Sequence, residues 1–379
     1  MKIAMVSVHA SPLTPDSGQS LHVASLSAAL VRLGHEVTVY TRRDAEGLLS
    51  EITTPDGYQV VHVPAGPARQ VKPDARMGDF AQFLLDDWGV RRPDLVHAHY
   101  WTSGLVSLLA AQRHGIPVVQ SYHGLGARSR GEEMVRRIST ERLVGREAEL
   151  VVATCEDEVH ELVGMGIARA KIEIVPRGVD PELFGSRGAA AQKTAPQRIV
   201  SVGKLLPHNG FADLVAALPR LLDTELVIAG RGTRAEERRL QGWARKLGVA
   251  DRMMLAGHVA RKDMPALLRS ADVVACVPWV ESYGVVPLEA MACGVPVVAS
   301  AVGGLTDIVI DHVTGVLVPP RDLKRLIRAL RVMLSDSTLR GTCGVAGEDR
   351  IRARHTWSEV AKRVERLYQR VEQPVAARS

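Results

Sequence analysis

Short β-branched runs alternate along the chain with longer stretches whose apolar residues recur every three or four positions. The first run covers residues 2–8. Beyond it Val23, Leu26, Leu30 and Leu33 fall on one helical face, and Gly34 stands where that helix should stop. Further strands are expected at 36–40, 60–63, 95–97, 118–120, 150–154 and 172–175, with helical patterns between them. Residues 185–197 (GSRGAAAQKTAPQ) break this rhythm; they are small, polar and aperiodic, and read as a linker. The alternation then restarts, with strands at 198–202, 226–229, 253–255, 273–277 and 295–299, and helices from Phe211 and Thr233. A last helix is expected over 358–371, with a frayed tail after 373. Repeated strand–helix units make a parallel sheet covered on both faces. The pattern predicts an α/β chain of two doubly wound, Rossmann-like domains facing across a cleft, at 1–184 and 198–355. Open α/β sheets bind ligands at the carboxyl ends of their strands, so two ligands are expected, one per domain.

Composition narrows the class. With 46% hydrophobic and 24% charged residues the chain is neither disordered nor fibrous. No apolar run approaches the ~18–20 residues of a membrane span, so no integral membrane association is expected. The N-terminus runs straight into a strand pattern without a signal-peptide cleavage site. Cys155, Cys276, Cys293 and Cys343 lack C-x-x-C spacing. That argues against a zinc cluster or a disulfide frame and fits a reducing cytoplasm, the expected location.

Charge is unevenly spread. Residues 1–184 hold 19 Lys+Arg and 23 Asp+Glu, a balance of −4, which leaves +10 for the remainder of a chain whose total is +6. A basic half suits an anionic ligand such as a nucleoside diphosphate, and an acidic half suits a neutral or cationic one. Aromatics at 4% and the split charge disfavour a nucleic-acid partner.

Several motifs are missing. There is no G-x-G-x-x-G after the first strand and no G-x-x-x-x-G-K-[ST], so a nicotinamide dehydrogenase or P-loop nucleotidase loses its main signal. No Asp-x-Asp offers itself to a Mg²⁺ ion, and no metal or cofactor is expected. No G-x-S-x-G is present either.

The informative segment is 281–300, ESYGVVPLEAMACGVPVVAS. A strand ends before it, and a short helix should begin near Gly284–Val286, with Pro287 tolerated in its first turn. Amides at Tyr283, Gly284, Val285 and Val286 would then face an anion or sugar hydroxyls. Glu281 precedes the helix and Glu289 sits on it; a carboxylate there is apt for a ribose diol. A pair of surface glutamates flanking a capped helix would give the same pattern.

This segment, followed by Gly303-Gly304, resembles the E-x7-E signature of the retaining family-4 glycosyltransferases, which have the GT-B fold. Residues 202–210 (VGKLLPHNG) resemble that family's G-R-L-x-x-x-K-G loop, and 175–180 (VPRGVD) its P-N-G-V-D. Residues 227–230 (VIAG), the histidine of 121–124 (SYHG), and 17–20 (SGQS) also have counterparts. Residues 355–358 (HTWS) resemble its terminal F-S-W, which implies a helix at 356–372 crossing back to the first domain. The likeness runs through nearly the whole chain and looks closest to the branch that glycosylates inositol phosphate or aminocyclitols.

The resemblance implies roles. Glu289 would hold the nucleotide ribose; Glu281, Ser282, Tyr283, Gly284 and Val285 the donor sugar; Lys204 the diphosphate. His123 would contact the donor sugar's primary hydroxyl, and Gly18 would let backbone approach the diphosphate. His123, Lys204 and Glu281 would carry catalysis. Ser20, Tyr100, Trp101 and Arg128 are candidates for the acceptor side, although Tyr100 and Trp101 suit core packing equally, and His9, His97 and His99 could also line the cleft. The chain departs from the family at Asn209, where a lysine is usual, with His208 or Arg231 as substitutes. Ser17 replaces a glycine, and Thr306-Asp307 replaces Pro-Glu. The reaction implied is sugar transfer from a nucleoside diphosphate, by default UDP, to a small polar acceptor such as an aminocyclitol or another natural-product precursor. ADP- or GDP-sugar donors, and a nucleotide-sugar epimerase or hydrolase, stay open.

Overall fold

The computed structural model describes residues 1–14, 17–66, 76–126, 132–281 and 284–372. The chain divides into two units, Met1–Arg177 with Trp357–Ser379, and Gly178–Thr356.

Unit 1 carries β1 (Lys2–Val6), α1 (Gly18–Arg32), β2 (Glu36–Arg42), β3 (Glu51–Thr53), β4 (Gln59–Val63), α2 (Met77–Val90), β5 (Leu95–His99), α3 (Trp101–His114), β6 (Val118–Ser121), α4 (Glu132–Glu147), β7 (Leu150–Ala153), α5 (Glu156–Gly164) and β8 (Ile172–Ile174). Its sheet runs in the order β3-β4-β2-β1-β5-β6-β7-β8. Pairing is parallel except for β3, which lies antiparallel to β4 at the edge. The central strands are buried on both faces; β5 (LVHAH) hides every residue, including two histidines. β3 escapes the apolar pattern because its short edge sequence EIT has a single hydrophobic residue.

Unit 2 carries β9 (Gln197–Val202), α6 (Phe211–Ala217), β10 (Thr224–Ala229), α7 (Arg234–Lys246), β11 (Met253–Gly257), α8 (Met264–Arg269), β12 (Val273–Cys276), α9 (Val286–Ala292), β13 (Val297–Ser300), α10 (Leu305–Ile308), β14 (Gly315–Val318), α11 (Leu323–Ser335) and α12 (Ser337–Arg354). Its parallel sheet is ordered β11-β10-β9-β12-β13-β14. The strand order reverses at β9, flanked by β10 and β12, and such a switch point is where open α/β sheets take ligands. β13 begins at Val297, two residues later than expected, and β14 is an additional four-residue strand.

The chain then returns: α13 (Trp357–Glu372) belongs to unit 1. Trp357, Val360, Ala361, Val364, Leu367 and Tyr368 join Val23, Leu26 and Leu30 of α1 and strand residues Ile3 and Met5 in one core cluster.

Residues 185–197, expected as a linker, are fastened to unit 2. Arg269 donates to the carbonyls of Gly185 (3.0 Å) and Ala189 (2.9 Å). The buried Arg198 donates to Gln192 O (2.6 Å), Ser270 Oγ (2.8 Å) and Glu225 Oε1 (2.8 Å). A segment with no apolar period is thus ordered by arginines lying elsewhere in the chain, and the division falls at Arg177/Gly178.

Candidate functional site

In unit 2 the expected donor residues gather at the carboxyl ends of β9, β10 and β12. The loops after β9 and β10 run side by side: Leu205 N donates to Arg231 O at 2.8 Å, and Gly203 N to Ala229 O at 2.9 Å. Glycine permits the approach, since a Cβ on Gly230 would meet Gly203 O at 1.8 Å. Lys204 and Arg231 therefore stand on adjoining loops; both are exposed, and neither has an ion pair among the described residues. Asn209 donates from Nδ2 to Lys204 O at 2.8 Å, so one of its donor hydrogens closes the loop. The segment after β12 joins this surface: Trp279 N donates to His208 O (2.8 Å) and Trp279 Nε1 to Asp213 Oδ2 (2.9 Å).

Glu289 lies on α9 and is only 5% exposed. Its Oε1 accepts a 2.8 Å bond from Arg261 Nη1. Burial pushes its carboxyl above the ordinary range, and Arg261 offsets part of that shift. Arg261 also covers the ring of Phe184 at 4.9 Å. No motif pointed to Arg261. Its partner is 28 positions away, and an arginine before a helix carries no signal of its own. Burial also raises the Cys276 thiol, with Glu281 and Glu289 adding negative charge, so both glutamates act on the end of β12. A Cβ at Gly284 would lie 3.8 Å from Glu281 Oε2. Val285 precedes α9 in helical conformation without a side-chain cap. Ser282 and Tyr283 fall outside the described residues, as does Arg128. A cavity of about 650 Å³ also opens on unit 2 along α12 and residues 181–187, but Glu289, Glu281, Lys204 and Arg231 do not line it.

In unit 1, His99 ends β5 and His123 follows β6, in register through the His99–Ser121 pair. His99 Nδ1 lies 2.9 Å from His123 Nε2. His22 of α1 stands edge-on to His123, with ring centroids 4.9 Å apart. Arg177 reaches both Gly18 O (Nη1, 3.3 Å) and His123 Nδ1 (Nη2, 3.4 Å). His123 has φ of +58°, a strained conformation that a non-glycine residue keeps only where the surroundings enforce it. Burial lowers His22, His99 and His123 well below the usual imidazole range, with Arg177 among the further causes in each. Burial also drops His97 to about 3, and its Nδ1 meets Tyr368 O–H at 2.5 Å.

The nitrogens of His22, His99 and His123 lie within 4.8 Å of one another, close enough to test against a metal. The 2.9 Å contact is hydrogen-bond length, shorter than the roughly 3.3 Å that Zn–N bonds of ~2.0–2.1 Å give at a tetrahedral centre. The Arg177 guanidinium beside His123 also opposes a cation. The set fits a neutral imidazole chain better than a metal.

The expected acceptor residues fare differently. Ser20 is 2% exposed and its hydroxyl is spent in a capping box: Ser20 N donates to Ser17 Oγ (3.1 Å) and Ser17 N to Ser20 Oγ (3.0 Å). The serine at 17 thus starts α1 where the family has glycine. Trp101 packs on the unit 1 core, and its indole nitrogen has no partner among the described residues. Tyr100, at φ +81°, carries Arg137 over its ring at 5.1 Å.

Residues 17–183 match the family described as Glycosyltransferase Family 4, and residues 186–350 the family described as Glycosyl transferases group 1. The chain is 35% identical to the D-inositol 3-phosphate glycosyltransferase of Kribbella flavida, over 91% of this chain and 90% of that one. It is 34% identical to the enzyme of the same name from Xylanimonas cellulosilytica, over 95% and 94%. Among solved structures it is similar to sucrose-phosphate synthase from Thermosynechococcus elongatus, with a TM-score of 0.85, 27% identity and 98% of each chain covered. The Anabaena protein HepE in complex with UDP-glucose shares the fold at a TM-score of 0.77 and 19% identity, over 98% of this chain and all of the other.

Proposed function

The chain belongs to family 4 of the glycosyltransferases, with two Rossmann-like domains of the GT-B fold, and from that premise we propose that it moves a sugar from a UDP-sugar to a small cyclitol acceptor with retention and without a metal. The observation that carries the donor half is the grouping in unit 2: two exposed cations without an ion pair among the described residues, Lys204 and Arg231, on adjoining loops, with the buried Glu289 carboxylate near the end of β12. Lys204 and Arg231 suit a diphosphate, whose charge grows as it leaves. Glu289, one oxygen held by Arg261, offers its carboxylate to a ribose diol. Among the described residues no pair of carboxylates stands ready as acid and nucleophile in the manner of a retaining glycosidase. The family likeness implies a front-face route, in which a phosphate oxygen takes the acceptor's proton as the diphosphate departs on the same side.

The −4 balance of residues 1–184 favours an aminocyclitol, because an acidic surface attracts a cation. A second reading, D-inositol 3-phosphate, rests on the names of the relatives. One experiment tests both. UDP-, GDP- and ADP-sugars are incubated with and without each acceptor, using wild type and Lys204→Ala. Transfer should need UDP-sugar and acceptor together, and Lys204→Ala should lower turnover by about 10²-fold or more. Donor consumption without acceptor would mark an epimerase or hydrolase instead. Wild-type turnover in Lys204→Ala would remove that lysine from the diphosphate site.

A further inference from the structure

The imidazoles of unit 1 form a chain whose two ends each allow one hydrogen-bonding role. At one end, His99 Nε2 lies 3.4 Å from Met5 Sδ. A thioether only accepts, so Nε2 carries the hydrogen. The ring is fully buried and neutral, so its Nδ1 bears a lone pair. That lone pair faces His123 Nε2 at 2.9 Å, and His123 must therefore be the donor. The ring centroids lie 5.1 Å apart while the facing nitrogens are 2.9 Å apart, so the two rings meet end to end, as an N–H···N bond places them. At the other end, Arg177 Nη2 stands 3.4 Å from His123 Nδ1, and a guanidinium only donates. Both termini thus select the same pair of tautomers, each ring protonated on Nε2.

We propose that His99 is a positioning residue: it fixes His123 as the Nε2–H tautomer and turns the Nδ1 lone pair outward to accept a hydrogen bond from a substrate hydroxyl. His99 cannot touch substrate itself, since its two nitrogens are engaged and its side chain is buried. His123 can, because it is partly exposed and its Nδ1 contact with Arg177 is long enough for a hydroxyl to replace. The strained backbone at His123 is consistent with a ring held in one orientation. His97 packs its ring 4.2 Å from that of His99 but takes no part in the hydrogen-bonded chain; its nitrogens go to Tyr368 and Ser121. The tautomer assignment is independent of the reaction, whereas the substrate hydroxyl rests on the proposed function.

The test has two readouts. Long-range ¹H–¹⁵N spectra of the full chain, labelled at histidine, should show Nδ1 of both rings unprotonated. They should also show a nitrogen–nitrogen coupling across the bond from His123 Nε2 to His99 Nδ1. A proton on His123 Nδ1, or no coupling, overturns the proposal even if the protein transfers no sugar. The second readout is kinetic. Misplacing a catalytic group by ~1 Å can cost about 10²-fold, so His99→Phe should lower kcat by that order while leaving donor KM nearly unchanged. His99→Gln can donate to Met5 and accept from His123, and should restore most of the loss. Equal kcat in the two variants would show that His99 serves packing alone. Absent transfer in wild type with an intact coupling would instead sink the proposed function and keep the tautomer chain.

Discussion

At the scale of single residues, Glu289 shows how a sequence motif and its environment divide the information. Its place in E-x7-E pointed to a ribose-holding carboxylate, but neither its burial nor the Arg261 partner that makes burial tolerable was legible, because that partner comes from a separate segment. Arg177, inside the quoted VPRGVD, was likewise invisible as a neighbour of His123, because that contact spans 54 positions. Ser20 was read for the acceptor side, and its part in the helix cap went unread: a serine three residues after another is also a capping signal, and the chain builds that cap. Glu289→Gln keeps the shape and removes the charge. Donor KM should rise roughly tenfold to hundredfold, the worth of a hydrogen bond to a charged group, with little change in apo melting temperature because Arg261 reaches solvent. Since burial raises this carboxyl, wild-type donor affinity should fall on acidification with a midpoint above the ordinary carboxylate range near 4.3, and the Gln variant should lack that limb. Unchanged KM in the variant would take Glu289 out of the donor site.

At the scale of elements, most strands were legible because buried parallel strands read as apolar runs. The exceptions, β3 and β14, are three and four residues long. The close approach of the loops after β9 and β10 was not legible, since it depends on which strands are neighbours. Gly230→Ala tests it. The added Cβ collides with Gly203 O, and Gly230 has φ of +150°, so the variant should lose stability on the order of several kcal/mol and lose donor binding with it. Near-normal melting and nucleotide affinity would contradict the pairing of these loops. The histidine cluster of unit 1 makes a second prediction. Unfolded imidazoles bind protons near 6.5, whereas His22, His97, His99 and His123 stay neutral when folded. Their contribution is complete above 6.5 and is lost as pH falls, for His97 down to its folded value of about 3. The unfolded chain binds protons below 6.5 that the folded imidazoles do not, so stability should fall as pH drops through that range. Thermal unfolding followed from pH 7.5 to 5 should show a steep fall in the transition that reports unit 1; a flat profile would mean the imidazoles charge in place.

At the scale of the whole molecule, the two-unit organisation followed from the alternation restarting after an aperiodic stretch, although residues 185–197 proved to be held on unit 2 by Arg198 and Arg269. Return of the last helix to unit 1 came from the family likeness, because the local sequence shows only an amphipathic helix. Charge asymmetry also acts at this scale. If the acidic balance of residues 1–184 steers a cationic acceptor, kcat/KM for an aminocyclitol should fall as salt rises, and a neutral cyclitol should be indifferent. A rise with salt would point to an anionic acceptor. The most direct measurement follows the anomeric proton by NMR during a reaction of UDP-sugar with acceptor in EDTA. Retention without a metal should give an acceptor-dependent α-glycoside from the α-linked donor, at a rate the chelator does not change. A β-linked product, or activity that vanishes in EDTA and returns with Mg²⁺ or Mn²⁺, would contradict it.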